Sequence, residues 1–151
     1  MKKQYFWGVL FGLLLIWGAT VLSGTKLRVY VNIPSLFMVL GLSTIIMLFS
    51  WDLKSVASSF KAVFAQKSGV KELKVGIEFF STLTKYFFLS AAIGTGTGLI
   101  AILTNLSDVE RIGAVVALAM LSTYYSLILT LFITLPFRSG LRKKLIEMEQ
   151  M

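Results

Sequence analysis

Long apolar stretches alternate with short polar ones along this chain, and the lengths of the apolar stretches decide its class. Tyr5 to Leu22 is one such run, and Ser35 to Ser50 is free of charge. Tyr86 to Leu106 and Ile112 to Phe137 contain no Asp, Glu, Lys or Arg, with Arg111 in the short turn between them. Each of these last two runs exceeds the ~20 residues a helix needs to cross a bilayer. Four spans are predicted, the third and fourth forming a membrane hairpin. Pro34 opens the second span, because proline is tolerated in a first helical turn where its missing N–H would be unpaired anyway. Trp51 follows that span at the place of an interfacial aromatic.

The polar stretches carry their own patterns. Thr25 to Asn32 alternates in a way that predicts an extended, strand-like connection. After the second span, Leu53, Val56, Ala57, Phe60 and Val63 recur at helical spacing, with Lys54, Ser58, Ser59 and Lys61 on other faces. The second span is therefore expected to run on as an amphipathic helix. A turn at Lys67-Ser68-Gly69 precedes a second stripe, Val70, Leu73, Ile77, Phe80, Thr84 and Phe87, which leads into the third span. Mutual packing of the two stripes is the simplest use for them, with a partner groove or membrane-surface adsorption as alternatives. Ser107 to Glu110 has the spacing of a capping box that would start the fourth span. Asn105-Leu106-Ser107 also fits a glycosylation acceptor, but in a tight turn it is read as structure. The divisions that follow are 1–50 for the first two spans, 51–85 for a short cytoplasmic helical hairpin, 86–137 for the last two spans and 138–151 for a basic tail.

Composition sharpens this picture. Hydrophobic residues make up 56% of the 151, and the mean hydropathy is +0.82, far above a water-soluble domain. The chain has no cysteine and no histidine, which excludes disulfides, thiolate or imidazole metal sites and a histidine proton relay. No cofactor is expected, and no enzymatic activity. The net charge of +8 resembles a nucleic-acid signal until the charges are placed. Lys2, Lys3, the lysines from Lys54 to Lys85 and the run from Arg138 to Lys144 fall on one side of the predicted spans, against Lys26, Arg28 and Arg111 on the other. The positive-inside rule puts both termini and the middle segment in the cytoplasm. Nucleic acid is not an expected partner, and Arg138, Arg142, Lys143 and Lys144 suit anionic lipid headgroups. Met1-Lys2-Lys3-Gln4 before the first run resembles a secretory signal, but a run longer than ~15 residues is read as a retained span.

The chemistry available inside the membrane is neutral. Ser122, Ser126, Thr130 and Thr134 are spaced by four along the fourth span, Thr123 stands beside them, and Arg138 continues the row. Ser90, Thr97 and Thr104 repeat every seven on the third span, with Thr95 on a neighbouring face beside Gly94 and Gly98. Such hydroxyls are also ordinary packing residues that bond their own preceding turn. Gly8 and Gly12 on the first span, and Gly94 and Gly98 on the third, would let another helix approach closely. No ionisable side chain lies at depth, although such groups normally mark ion pathways. If the protein moves ions, the titrating carboxylate comes from another chain.

Three stretches together resemble the MotA/TolQ/ExbB family of ion-driven motor subunits. Gly94-Thr95-Gly96-Thr97-Gly98-Leu99-Ile100 is similar to its GT-x-x-GLI stretch. Ala119 to Ser126, running on to Leu135-Pro136, is similar to its A-x-L-T-T-x-Y-G segment and following Leu-Pro. Pro34 to Gly41 is similar to its PSL-x-x-V-x-G opening of span two. The resemblance implies an all-α subunit of a bacterial inner-membrane homopentameric ring, enclosing a single-span MotB-, ExbD- or TolR-like partner whose aspartate carries the ion. It implies that Thr95 and Thr123 face that aspartate and that Pro136 is the proline of span four, with Ser122, Ser126 and Thr130 further candidates along the ion pathway. The chain departs from the MotA branch in two places: Phe88 stands where that branch has a proline, and the segment between spans two and three is much shorter. The alternative these departures raise is a non-conducting structural or assembly ring of the same family.

Overall fold

A backbone surrounded by lipid satisfies its own polar groups only as a helix or a closed barrel, and among the described residues each charge-free run of this chain forms a helix. The computed structural model describes residues 2–65, 68–104 and 109–150. It contains α1 (Lys2–Leu22), a 3-10 turn (Leu27–Tyr30), α2 (Ile33–Ser50), α3 (Leu53–Phe64) and α4 (Val70–Leu103). These are followed by α5 (Val109–Leu129), a π-helical turn (Thr130–Thr134) and α6 (Leu135–Glu149). Among the described residues four helices are long and apolar enough to cross a membrane, and there is no strand. The chain is an all-helical, multi-pass membrane protein. Its large apolar side chains face outward to a degree that water would not allow, Phe37 at 74% and Phe49 at 89% exposure.

Two units make up the chain, Met1–Ile33 and Pro34–Met151. In the first, α1 ends where Gly24 takes a positive φ of 68° and its N–H bonds Val21 O at 3.0 Å, a left-handed stop that glycine adopts without a Cβ penalty. The connection after it is not strand-like. Val29 and Val31 donate to Lys26 O and Arg28 O, so the alternating residues satisfy their N–H groups within a 3-10 turn.

In the second unit α2 does not run on. The Asp52 carboxylate accepts from Ser55 Oγ and from Ser55 N–H, both at 3.2 Å, and caps α3 as a new helix. Those two bonds, the hydroxyl's first, hold Asp52 below the usual carboxylate range. The inward face of α3 is also rotated from the predicted stripe. Ser59, Ala62 and Val63 are buried, whereas Leu53 is exposed. The reason lies opposite, at Gly76 of α4, where an added Cβ would sit 3.7 Å from the Ser59 Cα and 2.8 Å from Leu141 Cδ1. Small residues on both helices bring the backbones together, and Ser59 satisfies itself on Ser55 O at 2.7 Å. The second stripe does point inward at Leu73, Phe80 and Phe87, joined by Phe79.

The basic segment after Pro136 is α6, which returns along α4 and α3. Phe137 packs edge-on against Phe80 at 5.3 Å and Phe64 at 5.7 Å, and Phe60 closes on Phe79 and Phe80. Lys144, assigned to headgroups by its position in sequence, instead donates to Ala62 O, Val63 O and Ala65 O at 2.7–2.9 Å. All three ammonium protons cap the C-terminal carbonyls of α3, and desolvation there pushes Lys144 below the usual lysine value. Lys67, Asn105 and Ser107, on which the turn, the glycosylation acceptor and the capping box depend, lie outside the described residues.

The contact at Gly76 yields a prediction. Leu141 is wholly buried, so Gly76→Val overpacks the junction of α3, α4 and α6 at a cost of about 1–3 kcal/mol. A lowered thermal midpoint of the purified protein is expected, and an unchanged midpoint would remove this junction from the account of stability.

Candidate hydroxyl pair on the third and fourth spans

The site is built by the depth to which α5 sinks against α4. A Cβ added to Gly94 would lie 2.6 Å from Ser122 Oγ, and one added to Gly98 would lie 2.6 Å from Ala119 Cβ. Only glycine permits these approaches, and close backbone contact is what binds helices in lipid. The resulting register places Thr95, next to Gly94, opposite Thr123, next to Ser122. Their hydroxyls are 2.9 Å apart, and Thr95 Oγ1 also lies 3.1 Å from the Ala119 carbonyl. Thr123 is exposed and Thr95 partly so. The pair is thus a polar point on an otherwise apolar helical surface, with Met120 and Leu127 exposed nearby on α5.

The row of four behaves differently. Ser122, Ser126, Thr130 and Thr134 are all buried, on the side of the helix that meets α4. Thr134 Oγ1 donates to Thr130 O at 3.3 Å and lies 2.7 Å from Thr84 Oγ1 of α4. Ser126 Oγ and Thr130 Oγ1 have no hydrogen-bond partner among the described residues. Pro136 sits in the first turn of α6, just after the π-helical turn in which Leu135 N–H reaches back five residues to Thr130 O. A proline in mid-helix clashes with the carbonyl four residues earlier, and the wider turn relieves that clash. Arg138 is partly exposed on α6, beyond the buried row.

On α4, Ser90, Thr97 and Thr104 do not form one track. Ser90 is buried by α2, while Thr97 and Thr104 are exposed and donate to Ile93 O and Ala101 O. Gly8 has no other atom within 4 Å of where its Cβ would stand, so it packs against nothing in its own unit.

Sequence reasoning passed over the contribution of α2. Ser43 Oγ donates to Ser90 Oγ at 2.9 Å, with both residues essentially inaccessible. Ser35 Oγ reaches Leu118 O at 3.2 Å and Ser50 Oγ meets Tyr86 OH at 3.0 Å. The signal was present in Ser35, Ser43 and Ser50, spaced eight and seven apart, which puts them on one side of α2. These bonds fix α2 against the hairpin that carries the threonine pair.

An arrangement of this kind can donate and accept hydrogen bonds but cannot titrate. Among the described residues no three His, Cys, Asp or Glu side chains come together to hold a metal. The class this defines is a polytopic membrane protein with a neutral polar point on its third and fourth spans. Residues 53–151 match the MotA/TolQ/ExbB proton channel family, and the chain belongs to that family, a transport family and not a class of enzyme. The match begins with the first residue of α3, leaving α1, α2 and the Pro34 to Gly41 stretch outside it. No curated protein matches the chain.

The Ser43–Ser90 bond can be tested by a double-mutant cycle. Ser43→Ala leaves a buried hydroxyl without its partner, so each single alanine variant is expected to lose about 1 kcal/mol. The double variant should lose less than the sum, as read from reversible unfolding in detergent; strict additivity would mean that the two hydroxyls do not interact.

Proposed function

We propose that this protein is a subunit of a pentameric proton-conducting ring in the bacterial cytoplasmic membrane, surrounding a single-span MotB-, ExbD- or TolR-like partner that supplies the proton-carrying aspartate. Both termini and the bundle of α3, the start of α4 and α6 face the cytoplasm, as the distribution of Lys and Arg favours. The observation that carries the reading is the exposed Thr95–Thr123 pair, hydrogen-bonded at 2.9 Å on spans that hold no Asp, Glu, Lys, Arg or His.

The pair has the chemistry to follow a carboxyl group through both of its states. A hydroxyl holds one proton and two lone pairs. When Thr95 donates to Ala119 O and Thr123 donates to Thr95, the free lone pairs of Thr123 accept from a protonated aspartic acid. When Thr95 turns its proton to Thr123 instead, the Thr123 O–H is released to donate to the aspartate anion. Rotation of two hydroxyls accommodates loss of the proton without moving a helix. Ser122, Ser126 and Thr130 support this point from behind, and Pro136 with its π-helical turn shapes the inner end of the span.

A second reading, a non-conducting structural ring, is favoured by Phe88. It replaces the proline of the MotA branch, is 44% exposed, and lies in an α4 that continues unbroken from Val70 to Leu103. Flux measurements separate the two. In vesicles containing the protein and its single-span partner, Thr95→Val and Thr123→Val should each reduce partner-dependent proton flux by roughly fivefold, about one hydrogen bond's worth. Complex assembly should be unaffected. Undiminished flux in both variants would sink the assignment of the pair, and no flux in the unaltered complex would leave the structural ring.

A further inference from the structure

Between α4 and α6 lies a groove of about 300 Å³, lined by Lys74, Ile77, Arg138, Arg142 and Leu145. Its three cations come from two helices, one turn apart on α6, and converge on one opening. Among the described residues Glu147 pairs with Lys143, and no carboxylate lies within ion-pairing distance of Lys74, Arg138 or Arg142. Three converging positive charges with no carboxylate paired to them repel one another, and an anion brought among them removes that repulsion.

We propose that this groove holds the phosphate of an anionic phospholipid headgroup from the leaflet that faces α6. Two arginines on successive turns can present guanidinium forks to phosphate oxygens, a geometry that lysines alone would not provide. The level of the groove also fits. Trp51 packs edge-on against Phe79 at 5.6 Å, and tryptophans mark the headgroup region. Phe137 packs on the neighbouring Phe80, so Arg138 leaves α6 at the depth of Trp51, with Ile77 and Lys74 on the next turns of α4. Ile77 and Leu145 give the groove apolar walls, which suit the glycerol and first methylenes of a lipid better than a free ion. The inference rests on the cytoplasmic orientation of α6 proposed above and not on conduction.

The test compares retention of phosphatidylglycerol over phosphatidylcholine by the full-length protein in mixed vesicles. Arg138→Gln/Arg142→Gln should lower that preference by roughly tenfold or more. Lys54→Gln/Lys85→Gln, which removes two exposed cations outside the groove, should leave it unchanged. Lys74→Gln, an exposed position, should give an intermediate loss and provides the reading if the arginine variant does not fold. Equal loss in the two double variants would overturn the proposal in favour of diffuse surface charge, and so would full retention in the arginine and Lys74 variants. Displacement of the lipid by excess inorganic phosphate would identify a free-phosphate site and overturn the lipid assignment. Lipid retention is read without a partner or proton flux, so failure of the ring to conduct leaves this outcome distinguishable.

Discussion

Two glycines on one face of α4 set how deeply α5 can sink, and the rest of the second unit follows from that depth. With the Cβ positions of Gly94 and Gly98 only 2.6 Å from atoms of Ser122 and Ala119, the two helices can neither slide nor rotate without collision. The register so established carries downward. It sets Thr95 against Thr123 and Thr84 against Thr134, and it brings Leu141 over Gly76, where α3 joins. In lipid there is no water to squeeze out between helices, so steric fit of this kind takes over the part that the hydrophobic effect plays in a soluble core.

The two ends of this unit solve different problems. Within the apolar part, several hydroxyls bond one another, as Ser43 with Ser90, or a backbone carbonyl, as Ser35 with Leu118 O. At the other end an aromatic cluster of Phe60, Phe79, Phe80 and Phe137 forms a conventional core. Lys144 ties the third helix to it through backbone carbonyls. In a member of a proton channel family, the third and fourth spans thus present hydroxyls and no Asp, Glu, Lys or Arg.

The spans were legible because length and absence of charge suffice to define them. Packing inside the hairpin was partly legible: Gly94 and Gly98 stood out as small residues beside a threonine. Others were hidden for a physical reason. Ser59 and Gly76 face each other because each is small, and a hydrophobic stripe counts Ser59 as polar, so the inward face of α3 was misjudged. Asp52 breaks the second span through a cap that competes with helix continuation, and periodicity is blind to that competition. Lys144 looks like any other cation of a basic tail until the end of α3 is known to lie beneath it. The buried Ser43 was overlooked because a single hydroxyl in an apolar helix has a local partner available, and only the neighbouring helix reveals that it uses another.

The π-helical turn before Pro136 has a consequence for the helix as a screw. Residues spaced by four on an α-helix advance around the axis at every step, since each residue turns through about 100°. Ser122, Ser126 and Thr130 drift in this way. Left uncorrected, the drift would carry Thr134 and then Leu141 off the face that meets α4. A wider turn rotates less per residue, and five residues of it wind the phase back, so that Thr134 and Leu141 are both inaccessible. The turn that accommodates the proline thereby also corrects the phase. The successive helical segments keep the same side toward α4 from Ser122 to Leu141, much as a leap day keeps a calendar aligned with the seasons.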